Sequence, residues 1–201
     1  TIAVAMRETR QLKKMINELL SLTKEESIVK LNIGRVDIEA LFKETFESYI
    51  EIADYQDKSF DYQIKMKNSI IYTDKTKLNQ LIRILVDNAF KYTEAGDKIS
   101  ITASEKGRDR VLILVEDTGI GISEKDQKRI FERFFRSDSV RATEVEGSGI
   151  GLSIAKLIAT TLYGNIRVKS KLGQGTSFTI DIPKGKPVKP KPKAEKVKQS
   201  K

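Results

Sequence analysis

The segment VEDTGIGI, Val115 to Ile122, constrains this chain more than any other. An apolar run at 110–116 reads as a strand and delivers Asp117 at its end. Gly119 and Gly121 then let the backbone turn sharply and approach a ligand closely. Asp-Thr-Gly is also the active triplet of aspartic proteases. That chemistry needs two carboxylates sharing one proton, and the triplet occurs once here. Those proteases are also small all-β domains, whereas this sequence carries several helical segments. A plain turn after a strand accounts for one glycine, and less well for the whole of DTGIG.

Composition removes several chemistries at once. The 201 residues include no Cys and no His, which excludes disulfides, thiolate or imidazole metal sites, Cys nucleophiles and Ser-His triads. No apolar run approaches the roughly 18 residues that span a bilayer. The chain begins with Thr1 rather than Met and is expected to be an excerpt of a longer protein. A formal charge of +9 raises the question of nucleic acid. Residues 184–201 hold eight lysines and one glutamate, a net +7, so residues 1–183 carry only +2. That segment also holds Pro187, Pro190 and Pro192 and no aromatic. It is expected to be a disordered, solvated Lys/Pro tail, and no nucleic-acid partner is expected.

Residues 1–24 read as one helix, with Ile2, Ala5, Leu12, Ile16 and Leu19 along a heptad stripe. The stripe fits packing on the chain's own domain as well as dimerisation in a helical hairpin. A helix is expected at 35–55, with Val36, Ile38, Leu41, Phe42, Thr45, Phe46 and Tyr49 buried. Short strands at 59–65 and 69–73 precede a helix capped by Asp74 and running to Tyr92, with the core stripe Leu78, Leu81, Ile82, Leu85 and Ala89. Strands are expected at 98–104 and 110–116, then a polar, lid-like stretch from Ser123 to Glu146. A helix at 151–163 with the stripe Leu152, Ala155, Ile158, Ala159 and Leu162 leads to strands 165–170 and 176–182. Helices interleaved with hairpin-connected strands predict an α+β two-layer sandwich, with helices on one face of a mostly antiparallel sheet.

Two further groups could carry chemistry. In EGSGIGLSIAK, Gly147, Gly149 and Gly151 stand before a helix, where free N–H groups suit phosphate. It is neither a dinucleotide fingerprint, since Leu152 stands where the third glycine belongs, nor a P-loop. In LVDNAFKYT, Asn88, Lys91 and Tyr92 share one helix face. An amide oxygen, a cation and a ring could serve a metal, a phosphate and a base, although, taken alone, a solvated helix end is the simpler explanation.

Taken in order, these elements resemble the catalytic ATP-binding domain of sensor histidine kinases, in the gyrase–Hsp90–histidine kinase–MutL superfamily. LNQLIRILVDNAFKYTEAG is similar to that family's asparagine box, VEDTGIGI to its first glycine box and RIFERFFRSD to its phenylalanine box. GSGIGLSIAK is similar to the second glycine box and GQGTSFTIDIP to the closing strand motif. The resemblance implies the Bergerat ATP-binding fold at 28–183, preceded by one long helix. Residues 1–27 would be the second helix of the dimerisation and phosphotransfer hairpin, and 184–201 the tail.

It also implies roles. Asn88 would coordinate Mg²⁺, Lys91 would contact a phosphate, and Tyr92 would pack on the adenine. Asp117 would accept a hydrogen bond from the adenine amino group, supported by Thr176. Gly119, Gly121 and Ile122 would admit the base. Gly147, Gly149, Ile150, Gly151 and Leu152 would wrap the phosphates. Arg136 would reach the γ-phosphate, with Phe131, Phe134 and Phe135 anchoring the lid. The implied activity is a protein-histidine kinase using ATP and Mg²⁺, homodimeric through its hairpin and serving a response regulator. It would be the cytoplasmic part of a membrane-anchored sensor.

Two departures stand out. Ile84 occupies the place of a usual asparagine one turn before Asn88, which in the hydrolases of the superfamily is a glutamate that activates water. That argues against an ATPase and keeps a catalytically silent ATP-binding regulatory domain in view. It also removes an acidic residue that a serine-protein kinase of the anti-sigma-factor type would want. Secondly, without a histidine this chain cannot be its own phosphoacceptor.

Overall fold

A computed structural model describes residues 31–137 and 148–186. The helix expected at 1–24, Gly147, most of the lid-like stretch beyond Ser137 and the tail from 187 onward lie outside the described residues. Among the described residues, eleven elements follow in order: β1 (Ile33–Asp37), α1 (Ile38–Tyr55), β2 (Ser59–Lys65), β3 (Ile70–Asp74), α2 (Lys75–Lys91), β4 (Lys98–Lys106), β5 (Arg110–Asp117), α3 (Glu124–Gln127), α4 (Gly151–Thr161), β6 (Asn165–Lys171) and β7 (Gly175–Pro183).

The sandwich expected from the sequence is present. Five strands in the order β2-β4-β5-β7-β6 form one sheet, and β1 and β3 form a separate antiparallel ribbon. All neighbours in the large sheet are antiparallel except β2 and β4, which run parallel. Helix α1 packs on β2, α2 on β5 and α4 on β6. The core lies between, built from Phe42, Phe46, Leu81, Leu85, Ile101, Ile113, Ile158 and Ile180, all essentially inaccessible. The strands show why: Val111, Ile113 and Val115 of β5 are buried while Arg110, Leu112 and Leu114, which alternate with them, are only partly so, the period-2 signature of a sheet covered on one face.

Several boundaries differ from the sequence reading. Residues 33–37 are a strand, and the first helix starts at Ile38, because Asp37 caps it by accepting from the Glu39 N–H at 3.0 Å. Val36 is buried either way, so burial alone could not separate the two readings. The strands at 59–65 and 70–74 do not form a hairpin. β3 pairs with β1, and β2 reaches its parallel partner β4 across β3 and α2, the long crossover that a parallel pair requires. The cap on α2 is Asp74, as expected, accepting from the Lys77 N–H at 3.1 Å. Along α4 the buried side chains are Ser153, Ile154, Ala155, Ile158 and Ala159; Leu152, expected in that stripe, is half-buried.

After β7 the chain stays attached. The Lys184 N–H donates to the Asp109 carbonyl, and its own carbonyl accepts from the Tyr72 N–H at 2.7 Å. Lys184 Nζ also pairs with Glu105. The boundary expected between 183 and 184 therefore falls inside this clasp between the sheet and the ribbon.

Candidate functional site

The register of the sheet assembles the site. Ile99 of β4 lies opposite Asp117 of β5, Asp117 opposite Thr176 of β7, and Thr176 opposite Ser170 of β6. One row across four strands thus ends in three polar side chains. Asp117 Oδ1 accepts from the Gly119 N–H at 3.0 Å and the Thr176 N–H at 3.2 Å. Both bonds fall on the same oxygen, which leaves Oδ2 for a donor from outside. Burial pushes this carboxyl up to about 6; the two N–H bonds pull the other way, and the nearby Asp97 adds to the rise.

The turn after Asp117 folds back on α2 and β6. The Ile120 N–H donates to the Tyr92 carbonyl at 3.1 Å, and the Ile122 N–H to Ser170 Oγ at 2.8 Å. A Cβ at Gly119 would stand 2.0 Å from the Tyr92 carbonyl oxygen. Gly121 has φ +68°, and a Cβ there would meet the Lys171 carbonyl. Both glycines are thus demanded by how the turn seats against its neighbours, which is how they shape the floor beside Asp117.

Helix α2 brings its C-terminal end to the same place. Asn88, four residues from Tyr92, has a side-chain nitrogen that is buried with no hydrogen-bond partner. An amide left incomplete in this way is costly unless a ligand completes it. Lys91 Nζ sits 5.1 Å from the centre of the Tyr92 ring. The Tyr92 phenol is raised by burial and pulled down by the positive charge of Arg136, so the structure brings Arg136 of the lid-like stretch towards the end of α2. Ile84, one turn before Asn88, packs against the core. Its Cγ2 lies 3.7 Å from where a Cβ on Gly151 would be, and an aliphatic side chain at this position can neither orient nor deprotonate water.

The first turn of α4 closes the far side. Its N-cap is Ile150, buried, with no side-chain cap, so no side chain satisfies the first N–H groups of the helix, as an anion site requires. Gly149 has φ +73°, and its missing Cβ makes room for the Phe134 and Phe135 backbone. Phe131 meets Phe178 edge-on, with ring centres 6.4 Å apart, and Lys156 lies over its other face. Phe135 is covered by Arg129, whereas Phe134 is half exposed. Two of the three expected anchors therefore bear on the domain.

Two residues organise the site that the sequence reading did not single out. Ser170 Oγ donates to the Gly175 carbonyl at 2.7 Å and meets Thr176 Oγ1 at 3.0 Å. Gln127 Nε2 donates to the Ile122 and Ser170 carbonyls, both at 2.9 Å. Ser123-x-x-Asp126 is a recognisable helix-start signal that could have placed Gln127 on a short helix. Nothing local marks Ser170.

Among the described residues no group of three or more His, Cys, Asp or Glu could hold a metal ion by itself. A single amide oxygen at Asn88 fits Mg²⁺, which keeps most of its shell as water and phosphate oxygens.

Comparisons with known proteins bear on the family and the fold. Residues 73–186 match the family model described as histidine kinase-, DNA gyrase B-, and HSP90-like ATPase. The sensor protein CiaH of Streptococcus pneumoniae serotype 4 is 37% identical over 182 residues, covering 90% of this chain and 40% of that protein. The sensor protein SrrB of Staphylococcus aureus strain N315 is 34% identical over 185 residues, covering 92% of this chain and 31% of that protein. The chain therefore spans two fifths or less of these curated relatives. Among solved structures, full-length ShkA in complex with AMPPNP superimposes with a TM-score of 0.79 at 30% identity, over 90% of this chain and 37% of that one.

Proposed function

The chain belongs to the histidine kinase-, DNA gyrase B-, and HSP90-like ATPase family, as a histidine-kinase ATP-binding catalytic domain, and from that premise we propose how its residues use ATP. Asp117 carries the reading: a desolvated carboxylate with Oδ1 engaged and Oδ2 open at the end of β5. Oδ2 accepts from the adenine amino group. Guanine presents a carbonyl oxygen at that position, which two partners without a proton cannot bridge, so the site selects ATP over GTP. Tyr92 packs on the base, and Thr176 holds Asp117 in place.

The phosphates run from there to the uncapped start of α4, where Gly151 and Leu152 supply N–H groups and Ile150 fixes the turn. Lys91 contacts a phosphate, and Asn88 holds Mg²⁺ through its amide oxygen. When bound, that ion neutralises the phosphate charge that builds up during transfer. Arg136 steadies the γ-phosphate. A histidine nitrogen of another polypeptide segment attacks phosphorus with its lone pair, the N–P bond forms as the P–O bond to ADP breaks, and the proton on the other ring nitrogen passes to solvent. The fit is poorer for hydrolysis, because Ile84 can neither orient nor deprotonate water.

In the whole protein the phosphate passes from that histidine to a response-regulator aspartate. The protein dimerises through its hairpin and sits at the cell membrane with this domain in the cytoplasm. The sensor proteins among the relatives support this placement. No helix among the described residues is long and apolar enough to cross a membrane.

Calorimetric titration with ATP and GTP, with and without Mg²⁺, tests the pocket; equal affinity for the two nucleotides would overturn the adenine assignment. Asn88→Ala should abolish Mg²⁺-dependent label transfer to a supplied histidine-bearing hairpin while leaving the circular dichroism unchanged. Surviving transfer would remove the metal role.

A further inference from the structure

We propose that Gln127 and Ser170 form a latch that ties occupancy of the adenine subsite to the root of the lid, which makes Gln127 a positioning residue for the reaction. The inference rests on the adenine reading of Asp117.

The bonds form one continuous chain. Asp117 Oδ1 accepts from the Thr176 N–H. Ser170 Oγ has a single proton, which it donates to the Gly175 carbonyl. Its contact with Thr176 Oγ1 at 3.0 Å therefore has Thr176 as donor, and its remaining lone pair takes the Ile122 N–H. One hydroxyl thus uses its full capacity of one donor and two acceptors. It joins the strand pair β6–β7, the threonine behind Asp117 and the turn after Asp117.

Gln127 extends the chain to the lid. Both Nε2 protons are used, one on the carbonyl of Ile122 and one on that of Ser170. Gln127 stands on α3, the one-turn helix that opens the lid-like stretch. Ser123 caps this helix by accepting from the Asp126 N–H, and the Gln127 N–H donates to the Ser123 carbonyl. Three residues further on, Ile130 is buried in the core. The chain then runs through Phe131 and Phe135 to Arg136. The lid root is therefore held to the sheet by the same two residues, Ile122 and Ser170, that complete the wall of the adenine subsite. A ligand donor on Asp117 Oδ2 fixes the position of Asp117 and hence of Thr176. Ser170 and Ile122 follow, and Gln127 transmits the ordering to α3.

Side-chain chemistry makes this testable with near-isosteric changes. In Gln127→Glu a carboxylate would face two carbonyl oxygens in place of an amide that donates to both. Ser170→Ala removes the hydroxyl, and Ser170→Thr keeps it.

The experiment is amide hydrogen exchange of the full chain at residues 128–136, with no ligand, with adenosine, and with inorganic tripolyphosphate. In the wild-type chain adenosine alone should slow exchange about two- to tenfold, the factor that one net hydrogen bond represents. In Gln127→Glu and Ser170→Ala, each read at adenosine concentrations that saturate that variant, this adenosine-dependent slowing should vanish, and Ser170→Thr should restore it. Combined with Asp117→Asn, Gln127→Glu should have no further effect on adenosine-dependent slowing. A merely structural glutamine would raise exchange in every state and leave the ratio with and without adenosine unchanged. That result overturns the latch while sparing the adenine site. A wild-type chain that binds neither ATP nor adenosine would overturn the adenine site itself, and the latch with it.

Discussion

Asp117 and Asp181 stand on neighbouring strands at opposite ends of one sheet, both largely withdrawn from water, and they are treated in opposite ways. Asp181 is 5% exposed. It is ringed by Lys106 at 2.8 Å, by Arg110, whose Nε and Nη2 reach its carboxylate and carbonyl, and by Arg167 at 3.6 Å. Burial pushes its carboxyl up, but the bonds to Lys106 and Arg110 outweigh this and hold it below the ordinary range. Asp117 is given two backbone N–H groups and, among the described residues, no paired cation, and burial wins. A carboxylate that only holds strands together has its charge matched within the fold. One that must receive a ligand is left under-compensated, so that the ligand's donor supplies what the fold withholds.

That contrast can be broken first by deletion. Asp117→Ala should weaken ATP binding by roughly 1.5–3 kcal/mol, the scale of a hydrogen bond to a charged group, and should blunt the preference for adenine, as calorimetry would read. Its unfolding midpoint at neutral pH should hold or rise. Asp181→Ala should do the reverse, lowering stability by roughly 1–3 kcal/mol in a urea titration with ATP affinity unchanged, because Lys106, Arg110 and Arg167 would then face one another.

Titration sharpens it further, with a sign for each end. Asp117 has a folded value of about 6 against an ordinary 3.8. Its contribution to stability is therefore complete below about 3.8 and is lost as pH rises through about 6. Asp181 is lowered, so its contribution is present above the ordinary carboxylate range and is lost as pH falls through its folded value. Denaturation across pH 3–8 should show Asp117→Asn flattening the fall between about 4 and 7, and Asp181→Asn removing part of the acid-side loss. Adenosine affinity should drop below about pH 6 in the wild-type chain and not in Asp117→Asn.

The smallest effects concern positions outside both ends. Ile84→Asn should lower stability by about 1 kcal/mol, since a polar amide would replace a side chain packed on the core, and should leave ATP affinity within twofold by calorimetry. Removing residues 187–201 should change neither stability nor ATP binding. The cut starts at 187 because Lys184 is clasped to Tyr72 and Asp109.

Much of this arrangement was readable in advance, for local reasons. The α2 stripe, its Asp74 cap and the delivery of Asp117 at a strand end all depend on residues within a few positions of one another, where helix and strand periods leave their mark. The β1 strand escaped because Val36 and the first residues of α1 are buried under either reading, and five residues are too few to separate the periods. The parallel pairing of β2 with β4 escaped because its cause is a crossover of about thirty residues, which no window around either strand contains.

By itself, then, the sequence determined the types and order of the elements other than β1 and the one-turn α3, the carboxylate at the end of β5 and the chemistry it lacks for want of histidine and cysteine. Those follow from periodicity, turn residues and composition, which are local. Only the tertiary structure decided that residues 117, 176, 170 and 127 form one hydrogen-bonded chain, and that, among the described residues, Asp181 finds its cations while Asp117 does not. Register between strands far apart in sequence sets those distances, and desolvation, which raises one carboxyl and is overruled at the other, exists only once the layers have closed.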